Sequence, residues 1–324
     1  MHSQVKVAEL FLNTFDGSAA EDFRSYLSGH PQVTKWMIAA DFSLHDPERP
    51  MDCMAFTFIP YDAEFDELKA DVHAALPKDL KKTKALSSEA AAWLREKRRF
   101  HVPITLSKLR QVFYNDAQSD SLRVAREHIE FTISALNQSP GMYAGMLKRF
   151  KKLQQAAKAN SFNVELLSDI WLLGIWFGVL TLVLARERRC EIIGWFPDRD
   201  NMTNWCDGVW QDYALENARS FCDIHQVDLH ATKLVAGAPD RSIGKEAMWF
   251  DHTIRAADWF AGSIGAWDRS PNLVPSEHPK YRQMLENVVA DAENIAIIHC
   301  DIAEQMQFRR ILAVSRKDDD QGAT

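Results

Sequence analysis

The apolar positions follow two different periods, and the switch between them divides the chain. Short continuous runs occur at Trp36-Met-Ile-Ala-Ala40, at Cys53-Met-Ala-Phe-Thr-Phe-Ile59 and at Ile192-Ile-Gly-Trp-Phe196. Their length suits buried strands. The turn between the first two runs, residues 44–50, is rich in breakers and predicts a hairpin. A short third strand is predicted over 100–104. Residues 227–236 alternate polar and apolar side chains, the pattern of a strand with one covered face. Elsewhere apolar residues recur every three or four positions, which predicts helices over 19–27, 63–75, 88–99, 122–136, 142–159, 164–185, 202–222 and 245–267. Residues 281–313 are predicted as one or two closing helices. The pattern describes an α/β protein: a mixed sheet flanked by helices, with a large all-helical insertion over 105–186. The expected core is discontinuous, 30–104 and 187–272, followed by a helical extension over 273–316 and a polar, disordered tail over 317–324.

One segment tests this picture. Residues 170–185 are sixteen positions without a charge, bounded by Asp169 and Arg186. A spanning helix needs about 20 apolar residues. The segment is shorter, so it is read as a buried core helix and no stable membrane insertion is expected. Composition agrees: 46% of residues are hydrophobic and 26% charged, as in ordinary globular proteins. The net charge of −7 argues against a generally basic nucleic-acid coat. Five dispersed cysteines without a close pair fit reduced thiols. The first residues show no secretory signal pattern, and a cytoplasmic location is expected. The strongest basic clusters, 78–84 and 95–99, read either as solvated faces or as phosphate contacts.

Candidate chemistry lies in acids at the ends of apolar elements. Asp41 closes the first run. Asp198 and Asp200 follow the run that ends at Phe196. Asp251 and Asp258 are seven residues apart, just under two helical turns, and so share a helix face with Ile254 and Ala257. Acids on an apolar face are costly to bury without a partner. Mg²⁺ and Mn²⁺ are such partners, because they take oxygen ligands. Ordinary structural roles compete for each residue. Asp41 could bond a turn, Asp200 suits an N-cap for the helix after it, Asp251 suits a helix start, and Asp258 could pair with Arg255. Asp198 is favoured over Asp200 as a ligand. There is no phosphate-binding Gly-rich loop, no nucleophile elbow and no zinc spacing around His225, Asp228 and His230.

The stretches Met37-Ile-Ala-Ala-Asp41-Phe-Ser, Pro197-Asp198-Arg-Asp200 and Asp251-His-Thr-Ile-Arg-Ala-Ala-Asp258-Trp-Phe-Ala-Gly262 resemble the family called domain of unknown function 3800. The resemblance covers most of residues 34–270 and is loosest over the helical insertion. It implies a ribonuclease H-like fold and a metal-dependent nuclease on DNA or RNA, in an anti-phage or mobile-element setting of bacteria. It implies Asp41, Asp198 and Asp258 as ligands of Mg²⁺ or Mn²⁺, Asp251 as a second-site ligand or water-orienting base, and Lys84 as a phosphate contact. Nucleic acid is the implied partner. The helical insertion is a candidate surface for a homodimer or another protein. Three positions depart from the family pattern: Phe-Ser-Leu follows Asp41, Lys82-Thr-Lys84 stands where a Glu-Lys pair is expected, and Arg255 replaces a Gln. These departures remove polar groups from the expected site. They keep open an inactive nuclease-like fold serving as a binding module. A third reading is a helical membrane-associated protein built around 170–185.

Overall fold

Alternation along the strands sorts their side chains onto two faces, and each face is covered by helices. The computed structural model describes residues 2–62, 65–77, 80–108, 110, 112–113, 120–138, 141, 143–237, 248–270, 272–274, 278–302 and 306–315. Seven strands form one mixed sheet: β1 (Lys35–Ser43), β2 (Asp52–Pro60), β3 (Phe100–Leu106), β4 (Ile192–Pro197), β5 (Lys233–Ala236), β6 (Ile297–Asp301) and β7 (Gln307–Ile311). Their order is β5-β4-β1-β2-β3-β6-β7. The meander β1–β2–β3 is antiparallel, β4 adds in parallel to β1 and β5 to β4, and β6 adds in parallel to β3. The antiparallel strand β7 completes the far edge.

Trp36, Ile38 and Ala40 of β1, with Met54, Phe56 and Phe58 of β2, point into the larger core. That core is closed by α1 (His2–Ser18), α2 (Ala20–Ser28), α5 (Ser121–Leu136), α6 (Ala144–Ala157), α7 (Val164–Glu187) and α9 (Trp210–Ile224). Met37, Ala39, Cys53, Ala55 and Ile59 point the other way, into a second core. Its cover is α3 (Phe65–Ala75), α4 (Ser88–Arg95), α10 (Asp251–Gly265) and α11 (Pro279–Met284). A one-turn helix, α8 (Asn201–Asn204), follows β4.

The apolar segment 170–185 forms the middle of α7, and 94% of its most apolar window is buried inside the fold. Helical spacing there coincides with apolar character all round, the pattern of a helix enclosed on every side. Its neighbour α9 approaches unusually closely. A Cβ on Gly174 would stand 2.4 Å from Tyr213 Cβ, and one on Gly178 would stand 2.6 Å from Asn217 Cβ. Two glycines one turn apart therefore set the separation of these helices.

Several predicted elements are corrected. The helix expected over 202–222 is broken: Cys206, Asp207 and Gly208 adopt left-handed backbone (φ 46°, 59° and 81°), and α9 starts only at Trp210. The strand expected over 227–236 shrinks to Lys233–Ala236. The helical extension over 273–316 is wrong in its second half. After α11 and a π turn at Leu285–Val289, the chain forms β6 and β7 and widens the sheet. The run Ile295-Ala-Ile-Ile298 is too short to separate strand from helix by periodicity, and its β-branched residues favour the strand it becomes. The expected start of the late helix at 245–247, the tail from 317 and Lys78 lie outside the described residues.

The close α7–α9 contact leads to a prediction. Gly174→Ala or Gly178→Ala should destabilise the fold by about 1–3 kcal/mol through overpacking, measured by urea denaturation. Unchanged midpoints in both variants would show that the helices can part without cost.

Candidate functional site

The parallel pairing of β1 with β4 sets Ala39 opposite Phe196 and Ala40 opposite Pro197. The ladder continues one step further, since the Asp198 amide donates to Ala40 O at 2.8 Å. Asp41 is two residues beyond Ala39, and Asp198 two beyond Phe196. Alternation turns both toward the second core, where Ala39 and Phe196 point and where α10 lies. From α10, Asp258 reaches the same point and forms a side-chain hydrogen bond with Asp41. Three carboxylates from distant parts of the sequence thus interact near the carboxyl ends of two neighbouring strands, Asp41 two residues before the end of β1 and Asp198 just after β4.

Their electrostatics follow from this crowding. Asp41 is only 9% exposed. Burial, followed by repulsion from Asp258 and Asp198, holds its carboxyl well above the usual range. Burial also raises Asp198, helped by the charges of Asp258 and Asp251 and opposed by a backbone hydrogen bond from Arg199.

The competing structural roles can now be assigned. Asp200 caps α8: its side chain accepts from Met202 N at 2.9 Å, and the Asp200 amide donates to Thr203 Oγ1 at 2.9 Å. Asp251 opens α10 and accepts from Met248 N at 2.7 Å, a position favoured by the helix dipole. Asp41 Oδ1 accepts from the Phe42 amide at 2.7 Å rather than bonding Ser43. Arg255, the expected local partner of Asp258, turns away and donates to Leu76 O at 2.9 Å. Lys84 is exposed and does not line the cavity beside the acids. The basic stretch 95–99 is also spent on structure. Arg95 donates to Asn287 O and Ala290 O, and Arg99 is buried against the Trp93 ring.

A cavity of about 440 Å³ opens next to Asp258. Its walls come from the β1–β2 turn (His45, Asp46 and Arg49), the start of α7 (Glu165 and Asp169), the cap of α8, and Gly262 of α10. Behind the turn lies a buried ionic chain. Asp52 accepts from Lys108 Nζ at 2.8 Å and Arg110 Nη1 at 2.5 Å, while Arg110 Nη2 donates to Asp169 at 2.9 Å. Burial alone would raise Asp52, but the hydrogen bonds from Lys108 and Arg110 outweigh it and hold the carboxyl below its usual range. Sequence patterns missed this group. Asp169 was visible only as the boundary of an uncharged run, and His45 only as a turn residue.

Among the described residues, no three His, Cys, Asp or Glu side chains stand in an arrangement ready to grip an ion. The chemistry of the donors still fits a hard divalent cation: oxygen atoms only, partly buried and mutually repelling. No family model matches the chain, no curated protein matches it, and no solved structure matches its fold.

The raised Asp41 carboxyl fixes the sign of a pH effect. A carboxyl raised by folding adds stability below its unfolded value, about pH 4, and that contribution is lost as pH rises through the folded value. In metal-free protein Asp41→Asn should therefore raise the denaturation midpoint at pH 7, with the gap closing below about pH 4. Equal midpoints at pH 7 would mean that the carboxylates do not strain the fold.

Proposed function

We propose that the protein is a divalent-metal-dependent phosphodiester hydrolase acting on nucleic acid. The observation that carries this reading is the interaction of Asp41, Asp198 and Asp258 near adjoining strand ends, where burial, followed by repulsion from the other two acids, raises Asp41. Mg²⁺ or Mn²⁺ would be held by these three, with Asp251 close enough to Asp198 to influence its charge and available to a second ion or to the attacking water. Bound ions would polarise the phosphoryl oxygens and supply a nucleophilic water. The chain's own part is to hold Asp41 and Asp198 near the ends of two interior strands, to bring Asp258 over them on α10, and to leave a cavity beside Asp258 for the substrate.

A ribonuclease H-like core carrying residues 105–186 as an inserted helical unit belongs to the same proposal. What supports it is the antiparallel meander β1–β3, extended by parallel β4 and β5 on the edge where the acids lie. The resemblance of the three acid-bearing stretches to the domain of unknown function 3800 family points the same way. Lys84 has no support from its position, and Asp251 is the less central of the two α10 acids. The inactive binding-module reading draws on the lack of a ready ion grip among the described residues.

Asp41→Ala and Asp258→Ala separate the two. Each should weaken Mn²⁺ binding in calorimetric titration and lower cleavage of DNA or RNA on the order of a hundredfold or more. Full nuclease activity in both variants would sink the metal site. A wild-type protein that binds neither Mn²⁺ nor Mg²⁺ would select the non-catalytic module.

A further inference from the structure

His45 sits in the β1–β2 turn, and its imidazole is clamped from two sides. Nε2 donates to Asp169 Oδ2 at 2.5 Å, and Nδ1 lies 3.1 Å from Glu165 Oε1. Asp169 is 1% exposed and is itself fixed by Arg110. The His45 backbone is fixed as well: it adopts left-handed φ of 57°, and its amide donates to buried Asp52 at 3.0 Å. A buried carboxylate behind one ring nitrogen, with a solvent-exposed glutamate at a cavity wall before the other, is a way proteins orient an imidazole for proton transfer. The cavity is the one that Asp258 also lines.

The two clamping carboxylates are not alike. The Asp169 side chain is 2% exposed, whereas that of Glu165 is 66% exposed and is a single ion-pair arm at the cavity wall. A solvated glutamate can swing away at little cost. It holds, against Nδ1, the place that an anionic oxygen of a substrate would take.

We propose that His45 is the proton donor to the leaving oxygen of the diester, with Asp169 as its positioning residue. This rests on the phosphodiesterase reading above. In the step, water attacks phosphorus and the bond from phosphorus to the leaving oxygen breaks. The electron pair stays on that oxygen, which takes the Nδ1 proton of the imidazolium. The proton of the attacking water passes to a carboxylate of the acidic group, and the neutral imidazole keeps its Nε2 proton on Asp169. Solvent then reprotonates His45 and takes the proton from the carboxylate, which closes the cycle. The groups around the ring are mixed in sign: Asp169 and Glu165 of α7, Asp52 of β2, Asp46 and Arg49 of the turn, and Lys108 and Arg110 after β3. The hydrogen bond to Asp169 raises the imidazole above its usual value, more than burial and Arg110 lower it. The clamp thereby favours the imidazolium over the neutral ring.

The test uses full-length protein with Mn²⁺ and two substrates: an ordinary oligonucleotide, and oligonucleotides with sulfur bridging at the 3′ or 5′ leaving position, whose thiolate departs without a proton. His45→Ala and His45→Gln should slow the ordinary diester by about 10²–10⁴-fold and cleave the matching sulfur-bridged substrate at close to the wild-type rate. Asp169→Asn should shift the alkaline limb of the pH–rate profile to lower pH. Mn²⁺ titration and the thermal midpoint of each variant show whether the fold and the acidic group are intact. Equal slowing on both substrates in a folded variant, or no slowing on either, overturns the role of His45 while leaving the metal-site reading in place. A wild-type protein that cleaves neither substrate overturns the phosphodiesterase reading, and this inference with it.

Discussion

Everything at the acidic site depends on the parallel pairing of β1 with β4. Asp41 and Asp198 are far apart in sequence, yet the ladder from Ala40 to Pro197 and the Asp198 amide sets them side by side. A slip of one residue would turn one acid into the larger apolar core. The alternate side chains Trp36, Ile38 and Ala40, all buried on the opposite face, make such a slip prohibitive. Packing on one face of the strand therefore fixes the chemistry on the other. The same logic places Asp258. The helix α10 lies over β1, β2 and β3, and its apolar residues Ile254, Ala257 and Ala261 hold it there.

Charge repulsion at this point runs against the rest of the fold, and a second ionic group behaves in the opposite way. The chain Lys108–Asp52–Arg110–Asp169 alternates in sign and satisfies its carboxylates, and all but the half-exposed Lys108 are buried. Removing one member of such a group costs about 3–5 kcal/mol, because it leaves a buried charge uncompensated. It ties the otherwise apolar α7 to the β1–β2 turn, so the cavity wall cannot drift relative to the sheet. One group pairs opposite charges, and the other crowds like charges together. Crowding of that kind gathers where a protein binds or reacts.

Much of the central architecture was legible in the chain. Runs of apolar residues located β1, β2 and β4, the breaker-rich turn gave the hairpin, and the uncharged run became an enclosed helix. The position of Asp198 directly after β4 was also legible, as was the capping role of Asp200, because both follow from local pattern; Asp41, expected to end its strand, instead lies inside β1, which runs on to Ser43. What was not legible depends on contacts across the chain. The Ile295–Ile298 run becomes a strand because β3 offers it an open edge. Arg95 and Arg99 read as a basic patch, but Arg95 donates to backbone carbonyls near residue 290 and Arg99 is buried against Trp93. His45 and Asp169 carry no motif, and only folding brings them together.

The sheet's order has a consequence for how the chain is made. β1, β2 and β3 are consecutive, so they can pair with one another before the rest of the sheet is made. The strands that cover both outer edges of this meander, β4 and β6, begin only at Ile192 and Ile297. At a synthesis rate of about 5–20 residues per second, those edges stand open on the ribosome for on the order of ten seconds or longer. Open apolar edges are templates for pairing with other chains. The nascent interval, rather than the finished sheet, is thus where this topology is most vulnerable. The helices α5–α7, made during that wait, shield one face of the meander but neither of its edges.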